Sequence, residues 1–281
     1  MRDFAVQKNS RLIERLARWQ RGEIVPTEPA LAATVMLVRD AEADGADRVE
    51  VFVQRRVAYM DFAPSMLVFP GGGVDPRDAR EDVTWAGRSP QGWAEVLGTT
   101  TDTARLLVTA AIRELFEEAG VLLAGPDEES VVADVRSPIW HERRVALTQH
   151  AISLADILAE EDLVLRSDLL AYRAHWTTPE FEPRRYDTRF FAATLPVGQR
   201  PDGSTSEADY AAWAGPAATL ARGDVMMLPP TRVMLEILAE AGGVADVVVD
   251  AADVGEVMPV LTVLPDSSLV MRTLLPDRSA P

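Results

Sequence analysis

Apolar positions between residues 30 and 69 fall in short dense runs rather than at helical intervals. The segments 30–39 (ALAATVMLVR) and 49–55 (VEVFVQR) flank a polar stretch, 40–48, a pattern that predicts two strands joined as a hairpin by a longer loop. Met66-Leu67-Val68-Phe69 predicts a third strand, and Pro70-Gly71-Gly72-Gly73 reads as a forced turn after it. Residues 76–101 form a long excursion with a short helix expected near 92–97. The period then changes: Ala104, Val108, Ala111, Ile112, Leu115 and Phe116 fill one broad sector of a helical wheel, predicting a helix capped by Asp102, running to Ala119 and stopped by Gly120. Residues 152–173 predict helix in pieces, Arg189–Leu195 a strand, 198–209 a loop, and Pro229–Ala241 a helix. The tail 244–275 carries short β-like runs. Residues 1–22 read as an amphipathic helix with Leu12, Ile13, Leu16 and Trp19 on one side. No repeat, low-complexity tract or linker divides the chain, so the expectation is one mixed α/β domain over 1–281. Its core spans about 30–241, with the N-terminal helix and the β-like tail 244–281 appended.

The 281 residues carry 28 basic and 44 acidic side chains, a formal charge of −16, three His and no Cys. Without Cys there is no disulfide, thiolate zinc site, iron–sulfur cluster or Cys nucleophile. So acidic a chain lacks the basic face that phosphate backbones demand, and no nucleic-acid partner is expected. A small anionic substrate stays compatible, given a metal ion or a local Arg cluster. No apolar run is long enough for a membrane span, and the charges at Arg2, Asp3, Lys8, Arg11, Glu14 and Arg15 break any signal-peptide core. No membrane association and a cytoplasmic location are the expectation. The N-terminal helix reads as a docking helix or an oligomer arm, which leaves room for a homodimer.

The predicted helix 102–119 carries chemistry as well as packing. Glu114, Glu117 and Glu118 are spaced i, i+3, i+4 and share one arc, away from the apolar sector. Arg113 and Glu117 are one turn apart, so the guanidinium can hold that carboxylate in a fixed rotamer. Clustered carboxylates repel one another, and their natural counter-charge is a hard divalent cation taking oxygen ligands. A solvated acidic helix face is the plainer alternative.

The run Arg113-Glu114-Leu115-Phe116-Glu117-Glu118-Ala119-Gly120-Val121, with Ala110-Ala111 before it and Phe69-Pro70-Gly71-Gly72 upstream, closely resembles the signature box of the nudix hydrolases. The resemblance implies a nudix-type α/β/α sandwich with a mixed sheet, and hydrolysis of a diphosphate joined to another group. It implies Glu114, Glu117, Glu118 and the Gly72 carbonyl as ligands of Mg²⁺ or Mn²⁺, with Arg113 orienting Glu117. Arg113 follows Gly72 by 41 positions, 27 more than in an uninterrupted box, so an insertion at about 79–101 splits it. Counting forward from Gly72 puts Asp78 at the place of the first box Glu; counting back from Arg113 puts Arg105 there. The split box resembles the branch related to peroxisomal acyl-CoA diphosphatases. So do VFVQRR (51–56), MDFAPSMLVFPGG (60–72), HWTTPEFEPRRYDTRFF (175–191) and Pro229-Pro230-Thr231. That branch implies CoA or acyl-CoA as substrate. The stricter CoA signature before FPGG is met only in part, by Arg55 and Arg56.

Beyond the box, Glu207 is the candidate general base, with Asp209 its competitor, and for both a solvated loop carboxylate is the plainer alternative. Arg55, Arg56, Arg184 and Arg185 are candidate phosphate ligands, since Arg clamps phosphate oxygens bidentately; Arg189 is a further candidate, and surface ion pairing is the alternative for all of them. His175 could meet substrate or be a structural His. The insertion could cover the site or form an oligomer contact. Three functions follow: a diphosphatase acting on CoA or acyl-CoA, the same chemistry on ADP-ribose, a dinucleotide or another nucleotide derivative, and a nucleotide sensor that does not cleave.

Overall fold

The computed structural model describes every residue except 7–9, 42–44, 46, 61, 253 and 277–281, and all described side chains except those of Ser10 and Arg11. The chain opens with β1 (Arg2–Ala5) and α1 (Ser10–Gln20), then forms β2 (Ala30–Asp40), β3 (Val49–Arg56), β4 (Leu67–Val68) and β5 (Gly71–Gly73). A 3₁₀ turn, Pro76–Ala79, leads to β6 (Trp85–Ala86), α2 (Pro90–Leu97) and α3 (Thr101–Ala119), and a second, Ser167–Leu169, lies further along the chain. There follow β7 (Ala124–Gly125), α4 (Pro138–Thr148), α5 (Leu154–Glu160), β8 (Val164–Arg166), β9 (Ala171–Thr177), β10 (Tyr186–Thr194) and β11 (Ala208–Ala214). The last elements are α6 (Pro216–Leu220), α7 (Pro229–Glu240), α8 (Val244–Val247), β12 (Glu256–Val257), β13 (Val260–Val263) and β14 (Leu269–Thr273).

The central sheet runs β11-β3-β2-β10-β9-β12, with β2 and β10 parallel and β2 and β3 an antiparallel hairpin. Alternation along its strands sends side chains to two cores. Ala33, Val35 and Leu37 of β2, Phe52 of β3 and Phe191 of β10 meet Trp93, Leu107, Ile112, Leu115 and Phe116 from α2 and α3 on one face. Met36, Val38, Val53, Phe190 and Trp176 meet Val233, Met234, Leu235 and Leu238 of α7 on the other. Burial on both faces explains the nearly unbroken apolar run of β2, and the result is an α/β/α sandwich around a mixed sheet.

Several elements differ from the sequence-based expectation. Gly71–Gly73 is a strand and not a turn: it pairs with Ala32, Ala33 and Thr34 along the edge of β2 whose other end β3 occupies. The α3 cap is Thr100, whose side chain accepts from the Thr103 N–H, and Asp102 lies in the first turn instead. The region 152–173 holds one short helix and then β8 and the start of β9. Residues 1–22 are not one helix, since β1 precedes α1 and pairs with β14. Ile13 is 51% exposed, whereas Leu12, Leu16 and Trp19 pack in a small cluster with Phe181, Leu269 and Met271. Trp85, Trp93, Ala94 and Leu97 of the insertion join the core behind α3.

The β5–β2 pairing depends on the absence of a side chain at residue 71, because a Cβ there would lie 2.4 Å from the Ala33 carbonyl oxygen. Gly71→Ala is expected to part the two strands and cost about 1–3 kcal/mol, read as a lowered denaturation midpoint with an unchanged m-value; a midpoint equal to that of the wild type would contradict this packing.

Candidate active site

α3 is buried nearly all round, and its acidic side faces the glycine strand β5 rather than open solvent. Arg113 lies at the centre of this contact. Its Nε donates to Asp78 Oδ1 at 2.9 Å, Nη2 to Asp78 Oδ2 at 3.0 Å and to the Gly73 carbonyl at 2.8 Å. Nη1 donates to Glu114 Oε1 at 2.7 Å and to Glu117 Oε1 at 3.3 Å. Glu118 accepts instead from the Gly71 N–H at 2.9 Å. Gly72 stands directly before Glu114, where a Cβ would come within 2.6 Å of its carboxylate. The last turn of α3 is also fixed from outside: Gln54 donates to the Glu118 carbonyl at 3.1 Å and Arg144 to the Glu117 carbonyl at 2.9 Å, satisfying groups that a helix end leaves open.

Three carboxylates thus crowd one guanidinium, and a fourth, Glu118, lies beside them on the Gly71 N–H. Burial raises the pKa of Glu114 to about 7, pushes Glu118 well up and lifts Glu117; Asp78 is also raised, since loss of water outweighs its bonds to Arg113. Among the described residues no cationic side chain is hydrogen-bonded to Glu118, which feels Glu114 and Glu207 as like charges and Arg56 as an opposite one. The donors are all oxygens, buried, in negative excess and along one cavity, the environment that suits a hard divalent cation. Among the described residues no three acidic or His side chains form a finished ligand shell, consistent with Arg113 and Gly71 holding the carboxylates individually.

The cavity in front of α3 has a volume of about 710 Å³. Glu114, Glu117, Glu118, Gly72, Arg113, Arg56, Arg184 and Glu207 all line it. Arg56 reaches Glu207 at 3.2 Å, and its buried Nε has no partner among the described residues. Arg55, its neighbour on β3, turns outward to Asp209 at 2.7 Å, as strand alternation requires. Arg185 is also absent from the lining: it is buried and donates to the Thr178 and Thr27 carbonyls at 3.0 and 2.8 Å. Arg189 and His175 both bond Asp187 and lie outside the lining. Asp78, and not Arg105, is the residue brought to Arg113. None of the insertion lines the cavity, so neither residue 85 nor 93 covers the carboxylates.

Other wall residues figure in the sequence only as parts of family-like segments, with no chemical role assigned to them. Phe62, Trp176, Thr177, Tyr186, Pro229 and Pro230 all face the cavity. They come from the segments 60–72, 175–191 and 229–231, remote in sequence and gathered only by the fold. His150 lies at the rim in a left-handed conformation, its carbonyl and ring both met by Arg77, which is paired with Asp75. Asp75 is held well below the ordinary carboxylate range by that guanidinium.

A solved structure described as a nudix hydrolase from Alicyclobacillus acidocaldarius superposes with a TM-score of 0.65 at 26% identity, covering 81% of this chain and 99% of that one. The fold is that of the nudix hydrolases. A curated protein of Caenorhabditis elegans named "Putative nudix hydrolase 7" is 29% identical over 194 residues, 65% of this chain; the chain spans about half, 53%, of that relative's length. No family model matches the chain. Within this nudix fold, the helix bearing Arg113 and the three glutamates is the element that faces the glycine strand. No helix among the described residues is long and apolar enough to cross a membrane.

Because Glu114 titrates near 7 in the fold and near 4.5 in the unfolded chain, the metal-free protein binds more protons than the unfolded chain between those values. Its stability therefore falls as pH rises through that interval. Saturating Mg²⁺ or Mn²⁺ is expected to raise the melting temperature far more at about pH 8 than at about pH 5, by about 2–3 kcal/mol of stability at a hundredfold excess over Kd. Glu118→Gln is expected to remove the metal effect. Thermal melts across pH with and without the cation measure this, and a shift independent of pH would contradict the assignment.

Proposed function

We propose that this protein is a metal-dependent nudix diphosphatase, and that CoA or acyl-CoA is its substrate, cleaved to 3′,5′-ADP and (acyl-)4′-phosphopantetheine. The observation that supports hydrolysis most directly is the buried, over-negative carboxylate set that Arg113 and Gly71 hold along one cavity. The CoA reading rests on the split box and on the segments 51–56, 60–72, 175–191 and 229–231, all of which contribute residues to that cavity.

In this reading Glu114, Glu117, Glu118 and the Gly72 carbonyl hold Mg²⁺ or Mn²⁺. When bound, the cation offsets the charge of the two phosphates and lowers the pKa of a coordinated water. Arg113 keeps Glu114 and Glu117 in fixed rotamers and does not touch substrate. Arg56 and Arg184 bind phosphate oxygens, Arg56 through the Nε that has no partner among the described residues. Glu207, at the end of the Arg56 side chain, accepts the proton of the attacking water. The water oxygen bonds to one phosphorus, the bridging P–O bond breaks, and each product leaves as a phosphate monoester. ADP-ribose or a dinucleotide is the second reading, since Trp176, Phe62 and Tyr186 offer faces on which a base can stack.

Glu117→Gln keeps the shape and removes one charge, and is expected to lower kcat at least about a hundredfold with the melting temperature little changed. The assay is turnover of CoA, acyl-CoAs, ADP-ribose, NADH and diadenosine polyphosphates with Mg²⁺ and then Mn²⁺, resolved by chromatography and mass. Release of 3′,5′-ADP from the CoA members supports the first reading, and preference for ADP-ribose or a dinucleotide supports the second. Near-full turnover by the Gln variant contradicts the metal assignment. Binding without turnover makes the protein a sensor.

A further inference from the structure

The lining of the cavity is of two kinds. One part is the charged set around Arg113; the other is apolar, with Phe62 packed edge-on against Tyr186 at 5.1 Å between ring centroids and Trp176, Pro230, Pro259 and Met271 beside them. Pro259 and Met271 do not belong to the central sheet. Met271 lies on β14, the middle strand of a separate sheet ordered β1-β14-β13, which joins the two ends of the described chain.

That small sheet is fixed to the cavity wall at several points. Arg2 of β1 pairs with Glu236 of α7. Met271 and Leu269 pack with Leu12, Leu16 and Phe181, and Arg15 of α1 pairs with Glu182, itself a lining residue. The buried Arg185 donates to the Thr27 and Thr178 carbonyls and approaches Met258 Sδ at 3.5 Å, tying three segments together beside Pro259. The wall is therefore preorganised, and preorganisation is what turns apolar area into selectivity. A diphosphate and its cation engage oxygens and guanidinium groups, and leave the apolar surface wet unless the substrate itself covers it. Within this region the buried Thr177 hydroxyl has no partner among the described residues, and Thr178, Thr188 and Glu182 add further polar groups to the lining.

We infer that the sheet made by the two chain ends is a specificity wall of the reaction cavity, with Met271 its determining side chain, and that it accepts an extended apolar substituent carried by the diphosphate. The inference rests on the diphosphatase reading and adds which part of the chain selects the substituent. The occupant belongs to the substrate because the apolar wall is continuous with the carboxylate set in one cavity.

The test is calorimetric titration of the full chain, with Mn²⁺ present, with methyl, butyl and octyl esters of methylenediphosphonate, whose P–C–P link cannot be hydrolysed. The octyl ester is expected to bind at least about tenfold more tightly than the methyl ester, since buried methylenes contribute favourably one by one. Met271→Glu should abolish that gain and leave methyl-ester affinity within about twofold of wild type. Met271→Trp, which removes room without adding charge, should make the butyl ester the tightest of the three and serves if the Glu variant does not fold. Affinity independent of chain length, with the methyl ester binding normally, overturns this inference alone. A chain-length gain that survives in the folded variants does the same. Failure of every ester to bind overturns the diphosphatase reading and this inference with it.

Discussion

A single buried guanidinium couples fold to chemistry in this protein. Arg113 is bonded at once to Asp78 after the glycine strand, to the Gly73 carbonyl within it, and to Glu114 and Glu117 on its own helix. A buried arginine stripped of one such partner leaves an uncompensated charge, which is far costlier than the pair was ever worth. The strand β5, the turn at 76–79 and the helix α3 are thus obliged to meet in one arrangement. That arrangement leaves the carboxylates in negative excess, and it gives a cation something to do that Arg113 alone cannot.

The interruption between Asp78 and Arg113 is tolerated for a related reason. Closing a longer loop costs little more than closing a short one, and the inserted α2 compensates by sinking Trp93 into the core against Phe191, 5.7 Å between ring centroids. The insertion therefore thickens the face of the sheet behind α3 and leaves the cavity side open. On that side β3 is shared: it pairs with β2 over Val49–Val51, with β4 over Gln54–Arg55, and with β11 along Val51–Arg56. This sharing brings Arg56 and Glu207 to the carboxylates from the adjoining ends of two neighbouring strands.

The parts legible in the sequence were those set by local periodicity. The apolar sector of α3, the i, i+3, i+4 spacing of its glutamates and the Arg113–Glu117 turn are properties of one helix and needed nothing else. The hairpin of β2 and β3 and the helix from Pro229 were legible for the same reason. What the sequence hid was decided by partners. Gly71–Gly73 has no strand propensity of its own, and only the edge of β2 makes it extended. Arg55 and Arg56 are indistinguishable as letters, and the parity of β3 sends one to Asp209 and the other to the cavity. Arg185 resembles a phosphate ligand until Thr27 and Thr178 are found to occupy it. The pairing of Arg2 with Thr273 joins residues at the two ends of the chain, beyond the reach of any window.

The central claim is that the carboxylates held by Arg113 and Gly71 bind a divalent cation. Titration of Mn²⁺ into the full chain, followed by the loss of its free-ion electron paramagnetic resonance signal, tests this most directly. Saturable binding in the wild type that weakens at least about tenfold in Glu118→Gln, with the variant still folded, is the predicted result. Equal binding in both proteins, or none in either, would contradict it.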